Sequence, residues 1–309
     1  MEEEVYFAIV GRTLIMIYLI DLHIHTYNSY DSVITLEKLL QRLRFLSVEC
    51  SKFFRDDFAL VLGLVDHNRY PDLSFRSILD NYEGDLCIFL GSEILTKSGE
   101  IMVLDDPESL VLRKKLKELI MGPKEYMYIA EWARKHGLIT ILPHPFIRHK
   151  SPEVLAKFTD FIEIFNGRSP FDLNIKATRF CLDNAFLFSA GSDAHFPSEI
   201  FTSFMVIYTK EYYDASGLGI SDLRRLLVDN VFNTKLMYKI SFKANETFSQ
   251  LIAAVRRKEI IRSLYAISSL IRALKNFTIV RRIMKQNLSA SSRFIFQKFG
   301  KTMYATLHI

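Results

Sequence analysis

Five short segments of this chain carry residues of the types that bind metal ions, and they recur about 30 to 50 residues apart. Most of them follow a run of apolar, β-forming residues, and together they hold five of the eight histidines. Because the strand ends of a barrel of parallel strands meet around one mouth, the segments are expected to converge there. Imidazole and carboxylate groups brought together in this way suit divalent transition metals. The segments are residues 21–25 (DLHIH), 65–68 (VDHN), 91–93 (GSE), 143–145 (PHP) and 191–195 (GSDAH).

The first segment places two histidines two residues apart at the end of a predicted strand. Successive side chains of a strand point to opposite faces, so His23 and His25 share one face. A single histidine is usually structural, whereas such a pair, after an aspartate and before a polar loop, is typical of metal ligands. Asp31 follows in that loop, where it either caps the next helix or is a further ligand. Asp193 and His195 repeat the two-residue spacing at the last strand end.

The middle segments add further imidazoles and carboxylates at strand ends. His67 is a candidate ligand, and Asp66 beside it is expected to orient the site from behind the ligands. Glu93 is suited to bridge two cations, although a glutamate there could also be an ordinary loop charge. His144 lies between two prolines, which fix the backbone around it. These residue types in this order predict a metal site with more than one ion.

The ordered motifs DLHIHT, VDHN, GSE, PHP and GSDAH resemble those of the PHP (polymerase and histidinol phosphatase) superfamily over residues 17–208. The resemblance implies a distorted βα barrel of about seven strands, with two or three divalent ions (Mn, Fe, Zn or Mg) at its mouth. It also implies the ligands of these ions, which are His23, His25, Asp31, His67, Glu93, His144, Asp193 and His195.

One position departs from the commonest pattern of that superfamily. Many members have Gly-His after the glutamate strand, whereas this chain has Ser98, Gly99 and Glu100. Glu100 either ligates a cation through oxygen, which would shift the preference towards Mn or Mg, or is a solvated residue of a hairpin. The sequence leaves both alternatives open.

The segment 163–168 (EIFNGR) also resembles the superfamily, at the end of its sixth strand. Asn166 and Arg168 are therefore candidate substrate-contacting residues, because a planar guanidinium binds phosphate through paired hydrogen bonds. Together with Asp66 they form the predicted catalytic group. Arg148 and His149, just after the PHP motif, are weaker candidates, and an ordinary surface residue is the alternative for each.

Alternating strand and helix patterns predict an α/β fold, a distorted (β/α)7 barrel, rather than an antiparallel sandwich. Apolar runs typical of buried parallel strands occupy residues 17–21, 60–65, 86–90, 101–104, 138–142, 161–165 and 187–190, and residues 203–208 are expected to close the series. Helical patterns lie between them at residues 35–49, 123–136, 151–158 and 170–182.

The C-terminal quarter differs in charge from the rest of the chain. Residues 235–309 hold 15 Lys and Arg against two Glu, a net charge of +13, whereas residues 1–234 hold 25 basic and 33 acidic residues, a net charge of −8. Apolar residues at helical spacing among these basic residues predict a mainly helical, basic extension over 235–309. The barrel is then assigned to residues 16–234. Residues 1–15 are either an N-terminal extension or the result of a start codon placed too early.

Three widely spaced cysteines without a CxxC motif indicate buried thiols in a reducing cytoplasm. The apolar stretch 5–20 is interrupted by Arg12 and is too short to span a bilayer. A cytoplasmic protein without a transmembrane segment is therefore expected.

These features predict a metal-dependent phosphoesterase, an enzyme that hydrolyses phosphate esters with a metal-activated water. The expected substrates are nucleotides or short oligonucleotides, as for the nucleoside 3′,5′-bisphosphate phosphatases and 5′→3′ exonucleases of that superfamily, with histidinol phosphate as the alternative. A hypothesis of another class is an inactive barrel that binds nucleic acid, or acts as a scaffold, through its basic extension. If the extension does not contact nucleic acid, it is either a helical cap on the barrel or an amphipathic helix at a membrane surface.

Overall fold

Strands and helices alternate along most of the chain in the computed structural model, which describes residues 15–54, 58–106, 108–122, 125–211, 217–230, 234–239, 294–299 and 302–308. The strands are β1 (Met16–Ile24), β2 (Phe58–His67), β3 (Leu86–Leu95), β4 (Glu100–Asp105), β5 (Ile139–Leu142), β6 (Phe161–Asn166), β7 (Phe188–Gly191), β8 (Ser203–Thr209), β9 (Thr234–Lys239), β10 (Phe294–Phe299) and β11 (Thr302–His308). The helices are α1 (Leu36–Phe54), α2 (Ser77–Asp80), α3 (Val111–Met121), α4 (Tyr126–Lys135), α5 (Pro152–Leu155), α6 (Phe171–Asp183) and α7 (Ile220–Asp229).

Strands β1 to β8 form a nearly closed barrel in which six strands run in the same direction. β1, β2 and β3 pair in parallel, as do β5, β6 and β7. β4 pairs antiparallel with both β3 and β5, and β8 pairs antiparallel with β1. The barrel closes at its mouth, where the His25 N–H donates to the Ala194 carbonyl at 2.8 Å and the Ala194 N–H donates to the His23 carbonyl at 3.2 Å.

The expected α/β barrel is confirmed. Residues 203–208, expected to close the series of parallel strands, form β8, which runs antiparallel to β1, and the direction predicted for residues 101–104 is also wrong. Their apolar pattern predicts a parallel strand, yet they belong to antiparallel β4. A strand that is buried on both faces is apolar whichever way it runs, so the pattern does not report direction. The short turn between β3 and β4 decides it, because a parallel connection needs a crossover of about a dozen residues or more.

The predicted helices are present as α1, α4, α5 and α6, with shifted ends, and three further helices of the described residues, the short α2 together with α3 and α7, were not predicted. The pattern at residues 151–158 becomes the short α5 followed by a 3-10 turn, Ala156–Phe158. The unpredicted α3 buries Leu112, Leu116 and Leu119, and the unpredicted α7 likewise buries three leucines. Each of these helices therefore presents an apolar stripe to the barrel, which the surrounding charges obscure in the sequence.

Both faces of the barrel strands are covered by apolar side chains. Tyr18 and Ile20 of β1 belong to one buried cluster, whereas Leu19 packs in a second cluster with Leu39 and Leu43 of α1. Each fully buried leucine stabilises the fold by about 2 kcal/mol. The three cysteines are buried and free, as predicted.

The described part of the C-terminal region is strand, which differs from the helical expectation for these residues. β9 pairs antiparallel with β8, and β11 pairs with both β9 and β10. The predicted boundary at residue 235 thus falls inside a strand of the barrel sheet. The helical patterns of the basic extension and residues 1–14 lie outside the described residues. Within the described ranges, no helix is both long and apolar enough to cross a membrane.

Candidate metal centre

The mouth of the barrel holds a cavity with an empty volume of about 580 Å³, part of it open to solvent. The carboxyl ends of the six parallel strands surround it, and His23 and His25 lie fully buried beside its lining. All nine predicted ligands are thus brought together at one place. The charged and imidazole side chains that line the cavity are those of Asp31, His67, Glu93, Glu100, His144, Arg148, Arg168, Asp193 and His195.

The two histidines of β1 converge, with their Nε2 atoms 3.0 Å apart. His23 Nδ1 lies 2.9 Å from Glu163 Oε1, and His25 Nδ1 lies 3.2 Å from Ser29 Oγ. A proton on His23 Nδ1 is held by the Glu163 carboxylate, which leaves the Nε2 lone pair for a cation. The register of β1 against β2 shifts between Asp21 and Ile24, and such a bulge re-aims side chains at a strand end.

Glu93 is at the centre of the cluster and is almost fully buried. Its Oε2 lies 2.9 Å from His67 Nδ1 and 3.5 Å from His25 Nε2. Its Oε1 lies 3.0 Å from His144 Nε2. One carboxylate therefore faces imidazoles from three different segments.

Two aspartates complete the ring of ligands. Asp31 Oδ2 lies 3.4 Å from His67 Nε2 and 3.2 Å from His195 Nε2. Asp193 Oδ1 lies 3.4 Å from His25 Nε2. His195 Nδ1 donates to the Asp193 backbone carbonyl at 2.9 Å, so the Nε2 of His195 faces the cavity. Asp31 is therefore in the position of a ligand and not of a helix cap.

Glu100 reaches the same mouth because β4 is antiparallel to its neighbours. The amino end of β4, where Glu100 lies, is beside the carboxyl ends of the parallel strands. Glu100 is only 5% exposed. Its Oε2 lies 3.7 Å from His144 Nε2, and its Oε1 lies 3.7 Å from Arg148 Nη1. Glu100 is thus a buried residue of the cavity and not a solvated hairpin residue.

Burial opposes charge throughout this centre, and neighbouring groups decide the pKa of each residue. Burial alone would lower the pKa of His23, but the carboxylates of Glu163, Asp193 and Glu93 raise it well above its ordinary value. Burial and the neighbouring His195 lower the pKa of His25 to about 3. Neutral histidine is the form that ligates a metal ion, so His25 is ready to bind without losing a proton.

The carboxylates divide into two kinds by their surroundings. Burial would raise the pKa of Asp31, but the imidazoles of His195 and His67 hold it below its ordinary value. Glu100, in contrast, has a raised pKa because of burial and the nearby negative charge of Glu93. Two buried carboxylates this close repel each other unless a cation compensates them.

The donor set fits bound divalent cations. Among the described residues there are four groups of three potential ligands in which the three ligand atoms lie within 4.8 Å of one another. Examples are His25, His67 and His195, and His67, Glu93 and Glu100. Several buried polar atoms of the cavity have no hydrogen-bond partner in the described part of the chain, a costly state that metal ligation would relieve. These atoms are Asp31 Oδ1, Glu100 Oε2 and His144 Nδ1.

Two of the predicted ligands have a strained backbone. His144 has a φ of 28° and Asp193 a φ of 53°, in the left-handed region that residues with a Cβ rarely adopt. The prolines on either side of His144 hold its segment in place, and its N–H donates to Glu163 Oε2 at 2.9 Å. Such strain costs about 1–3 kcal/mol per residue and persists only where surrounding structure enforces it.

Asp66 lies behind the ligands and does not line the cavity. Its carboxylate accepts the Thr26 N–H at 2.7 Å, the Thr26 hydroxyl at 2.6 Å and the Ser29 hydroxyl at 2.9 Å. Ser29 in turn contacts His25 and accepts the His67 N–H at 3.0 Å. Asp66 therefore anchors the loop after β1, and its contacts are those of an orienting residue.

Asn166 lines the cavity, but its side chain is used within the protein. Its Nδ2 donates to Glu163 at 2.9 Å and to Asp193 Oδ2 at 3.2 Å, and its Oδ1 accepts the Arg168 N–H at 2.9 Å. These bonds hold two carboxylates of the centre in position. The contact with substrate predicted for Asn166 stays a prediction, whereas its positioning contacts are observed.

The basic candidates occupy different places. Arg168 lines the cavity, with Nε 3.6 Å from Glu199 Oε1. Arg148 lines the rim and has a side chain that is 64% exposed. His149 lies outside the lining and bonds to backbone atoms of Ile147 and Glu100.

Two glutamates of the site were not predicted. Glu163 orients His23 and His144, and Glu199 accepts the N–H groups of His195 and Phe196 at 2.8 and 3.0 Å. Glu163 lies in the otherwise apolar strand FIEIFN, and a charge in a buried strand is a signal that could have revealed it. Glu199 lies in a loop and has no comparable signal.

Comparison with known proteins gives a distant relative and a similar fold. No family model matches the chain. An uncharacterized protein of Methanocaldococcus jannaschii is 24% identical over 266 residues, which cover 77% of this chain and 98% of that protein. PsfC from Pseudomonas syringae PB-5123 has a similar solved structure, with a TM-score of 0.50 and 13% identity over 82% of this chain and 99% of that chain. At this identity the likeness concerns the fold alone.

Two more solved structures have lower TM-scores. An amidohydrolase from Chromobacterium violaceum has a TM-score of 0.45 and 15% identity over 58% of this chain and 88% of that chain. A candidate metal-dependent phosphoesterase from Bifidobacterium adolescentis has a TM-score of 0.41 and 12% identity over 68% of this chain and 96% of that chain.

Proposed function

We propose that this chain is a metal-dependent hydrolase and, more specifically, a phosphoesterase. The observation that carries the proposal is the convergence of five histidines and four carboxylates on one cavity that is also lined by two arginines. The ligands account for metal dependence. The arginines, Arg148 and Arg168, favour an anionic substrate over a neutral amide or ester, because guanidinium groups recognise phosphate oxygens.

Divalent cations, when bound, would hold phosphate oxygens and lower the pKa of the attacking water. The chain contributes the arrangement of the ligands. Glu93 faces imidazoles from three segments and would be shared between cations. Glu163 and Asn166 hold the orientation of His23 and Asp193. This support holds the ligand side chains in place before a cation binds, so they lose little conformational freedom when it does.

The arginines would contact the substrate at two depths. Arg168 is mostly buried, with its Nε 3.6 Å from Glu199 Oε1, and in this proposal it would hold the phosphate that reacts. Arg148 is exposed at the rim and is placed to meet a second phosphate or a continuing chain. This arrangement supports a nucleoside 3′,5′-bisphosphate or the end of a short oligonucleotide as the substrate. Histidinol phosphate, which carries one phosphate, is the alternative.

The test is phosphate release by the purified full-length chain with Mn²⁺. Adenosine 3′,5′-bisphosphate, a short single-stranded oligonucleotide and histidinol phosphate are compared at equal concentration. We expect turnover that EDTA abolishes and that is fastest with the bisphosphate or the oligonucleotide. Glu93→Ala should reduce turnover about 1000-fold, since metal-derived stabilisation amounts to several kcal/mol.

Glu153→Ala is the matched control, because Glu153 is exposed on α5 and should leave turnover unchanged. Absence of phosphate release from all three substrates contradicts the proposal. If the protein released no phosphate but still bound oligonucleotide in the presence of EDTA, the result would favour the inactive, nucleic-acid-binding alternative.

A further inference from the structure

His149 ties the loop after β5 to the turn between β3 and β4. Its Nδ1 lies 2.7 Å from the Ile147 carbonyl oxygen. Its Nε2 lies 3.2 Å from the Glu100 backbone nitrogen and 2.9 Å from the Glu100 carbonyl oxygen, so either tautomer bonds to the Glu100 backbone. The Lys150 N–H donates to the Ser98 carbonyl at 3.0 Å and joins the same two segments.

The turn is shaped to receive the His149 ring. Gly99 has a φ of 148°, a conformation that side chains with a Cβ rarely adopt. A Cβ added at Gly99 would lie 2.3 Å from His149 Cδ2 and 2.9 Å from its Cγ. The ring therefore packs directly on the backbone of the turn, and this contact requires glycine at position 99.

The joined segments carry two functional groups side by side at the cavity. Glu100 follows Gly99 and has a buried Oε2 without a hydrogen-bond partner in the described part of the chain. Arg148 precedes His149, with a φ of 61° and its Nη1 3.7 Å from Glu100 Oε1. A strained arginine backbone must be held by its surroundings, and the His149 contacts provide this.

We infer that His149 is a positioning residue that holds Glu100 as an oxygen ligand of one cation and Arg148 beside it as a phosphate-binding group. The second half of this inference rests on the proposed phosphoesterase function. The first half does not, because binding of a cation at Glu100 is independent of the reaction that follows.

The first measurement is Mn²⁺ binding to the full-length chain, followed by the electron paramagnetic resonance signal of free Mn²⁺. His149→Ala and Gly99→Ala disturb the same contact from opposite sides. In both variants we expect one Mn²⁺ site to weaken by about 10- to 100-fold, as is typical when the support of a ligand is removed. Glu100→Gln should weaken the same site. The double variant Glu100→Gln/His149→Ala should lose no more Mn²⁺ affinity at that site than Glu100→Gln alone.

Two further variants separate positioning from general stability. His149→Gln keeps a donor and an acceptor and should bind Mn²⁺ within about threefold of the wild type. His136→Ala is the matched control, since His136 also contacts a backbone carbonyl, that of Trp132 at 2.8 Å, but is exposed at the end of α4. It should leave both Mn²⁺ binding and Tm unchanged.

The second measurement is hydrolysis of adenosine 3′,5′-bisphosphate, which carries a second phosphate for Arg148, at Mn²⁺ concentrations that refill the weakened site. Displacement of Arg148 should raise KM about tenfold while kcat changes less than threefold, and Arg148→Ala should do the same. A wild-type Mn²⁺ isotherm in folded His149→Ala and Gly99→Ala overturns the inference. The inference is also overturned if the two variants weaken every Mn²⁺ site equally and lower Tm, and if His149→Gln does not restore Tm. Absence of hydrolysis by the wild type contradicts the proposed function instead, and the Mn²⁺ isotherms then decide the role of His149 alone.

Discussion

At the scale of single residues, the centre depends on groups that hold the ligands as much as on the ligands. Glu163 shows this most clearly, because one carboxylate bonds the ring of His23 and the N–H of His144. It also accepts a hydrogen bond from Asn166. These contacts hold the ring of His23 and the backbone of His144, which are more than one hundred residues apart in sequence.

Replacing Glu163 by Gln tests this support with little change in volume. The amide has no net charge and holds the Nδ1 proton of His23 less strongly. We expect Mn²⁺ affinity to fall by about 10- to 100-fold. Isothermal titration calorimetry of the full-length chain measures it, with Glu153→Gln on exposed α5 as the control. An unchanged affinity in a folded Glu163→Gln variant would remove the orienting role assigned to Glu163.

At the scale of secondary-structure elements, buried carboxylates join the strand ends. Asp21, near the end of β1, accepts the Ser192 N–H at 2.8 Å and the Phe201 N–H at 2.9 Å. These donors lie just after β7 and just before β8. The carboxylate therefore satisfies a backbone N–H at each end of the connection between β7 and β8.

Asp21→Ala should lower the free energy of unfolding by about 3 kcal/mol, because two buried N–H groups lose their acceptor. Urea unfolding followed by circular dichroism measures the change. Asp183→Ala serves as the control, since Asp183 is exposed at the end of α6 and should change stability by less than about 0.5 kcal/mol. A loss below about 1 kcal/mol for Asp21→Ala would mean that water or another group satisfies these donors.

At the scale of the whole molecule, the barrel concentrates negative charge and imidazole at its mouth, so cations should stabilise the folded state. A ligand that binds only the folded chain stabilises it by about 2.7 kcal/mol at one hundred times its Kd. For a protein of this size we expect Mn²⁺ to raise Tm by about 5–10 °C. Differential scanning fluorimetry with and without EDTA measures this rise in Tm. Glu93→Ala should show a much smaller rise, and an equal rise in both proteins would place the stabilising cation elsewhere.

The basic C-terminal region bears on oligonucleotide binding. Deleting it from residue 235 is a poor test, because β9 pairs with β8 and its loss would expose the barrel sheet. Exchanging Arg256, Arg257 and Lys258 for Gln removes charge while leaving the chain intact. If these residues contact a single-stranded oligonucleotide, the slope of log K against log salt should flatten by about 2, with hydrolysis of a mononucleotide bisphosphate unchanged.

The control for this exchange removes the same charge elsewhere. Arg113, Lys114 and Lys117 are basic residues of α3, and their side chains are exposed. Their joint exchange for Gln should leave the salt dependence of oligonucleotide binding nearly as in the wild type. Equal flattening in both triple variants would show that net charge, and not a local contact of the C-terminal region, governs binding.

The sequence by itself determined the α/β class and the set of ligand types. His23 and His25, like Asp193 and His195, follow apolar runs at a spacing of two, and the pleat of a strand is a local property that spacing reports. Strand ends of one barrel meet at one mouth, so motifs more than one hundred residues apart could be grouped without coordinates.

Only the tertiary structure decided what depends on direction and on partners distant in sequence. Glu100 is at the site because β4 runs antiparallel, and an apolar pattern is the same in either direction. Glu163 is a support for His23 because β6 pairs with β7 and the chain after β7 meets β1 where the barrel closes, which the pattern of no single strand encodes. His149 meets Gly99 for a similar reason, since the packing of one loop on another depends on where the barrel places both. Local chemistry can be inferred from the order of residues, whereas contacts between distant segments exist only once the chain is folded.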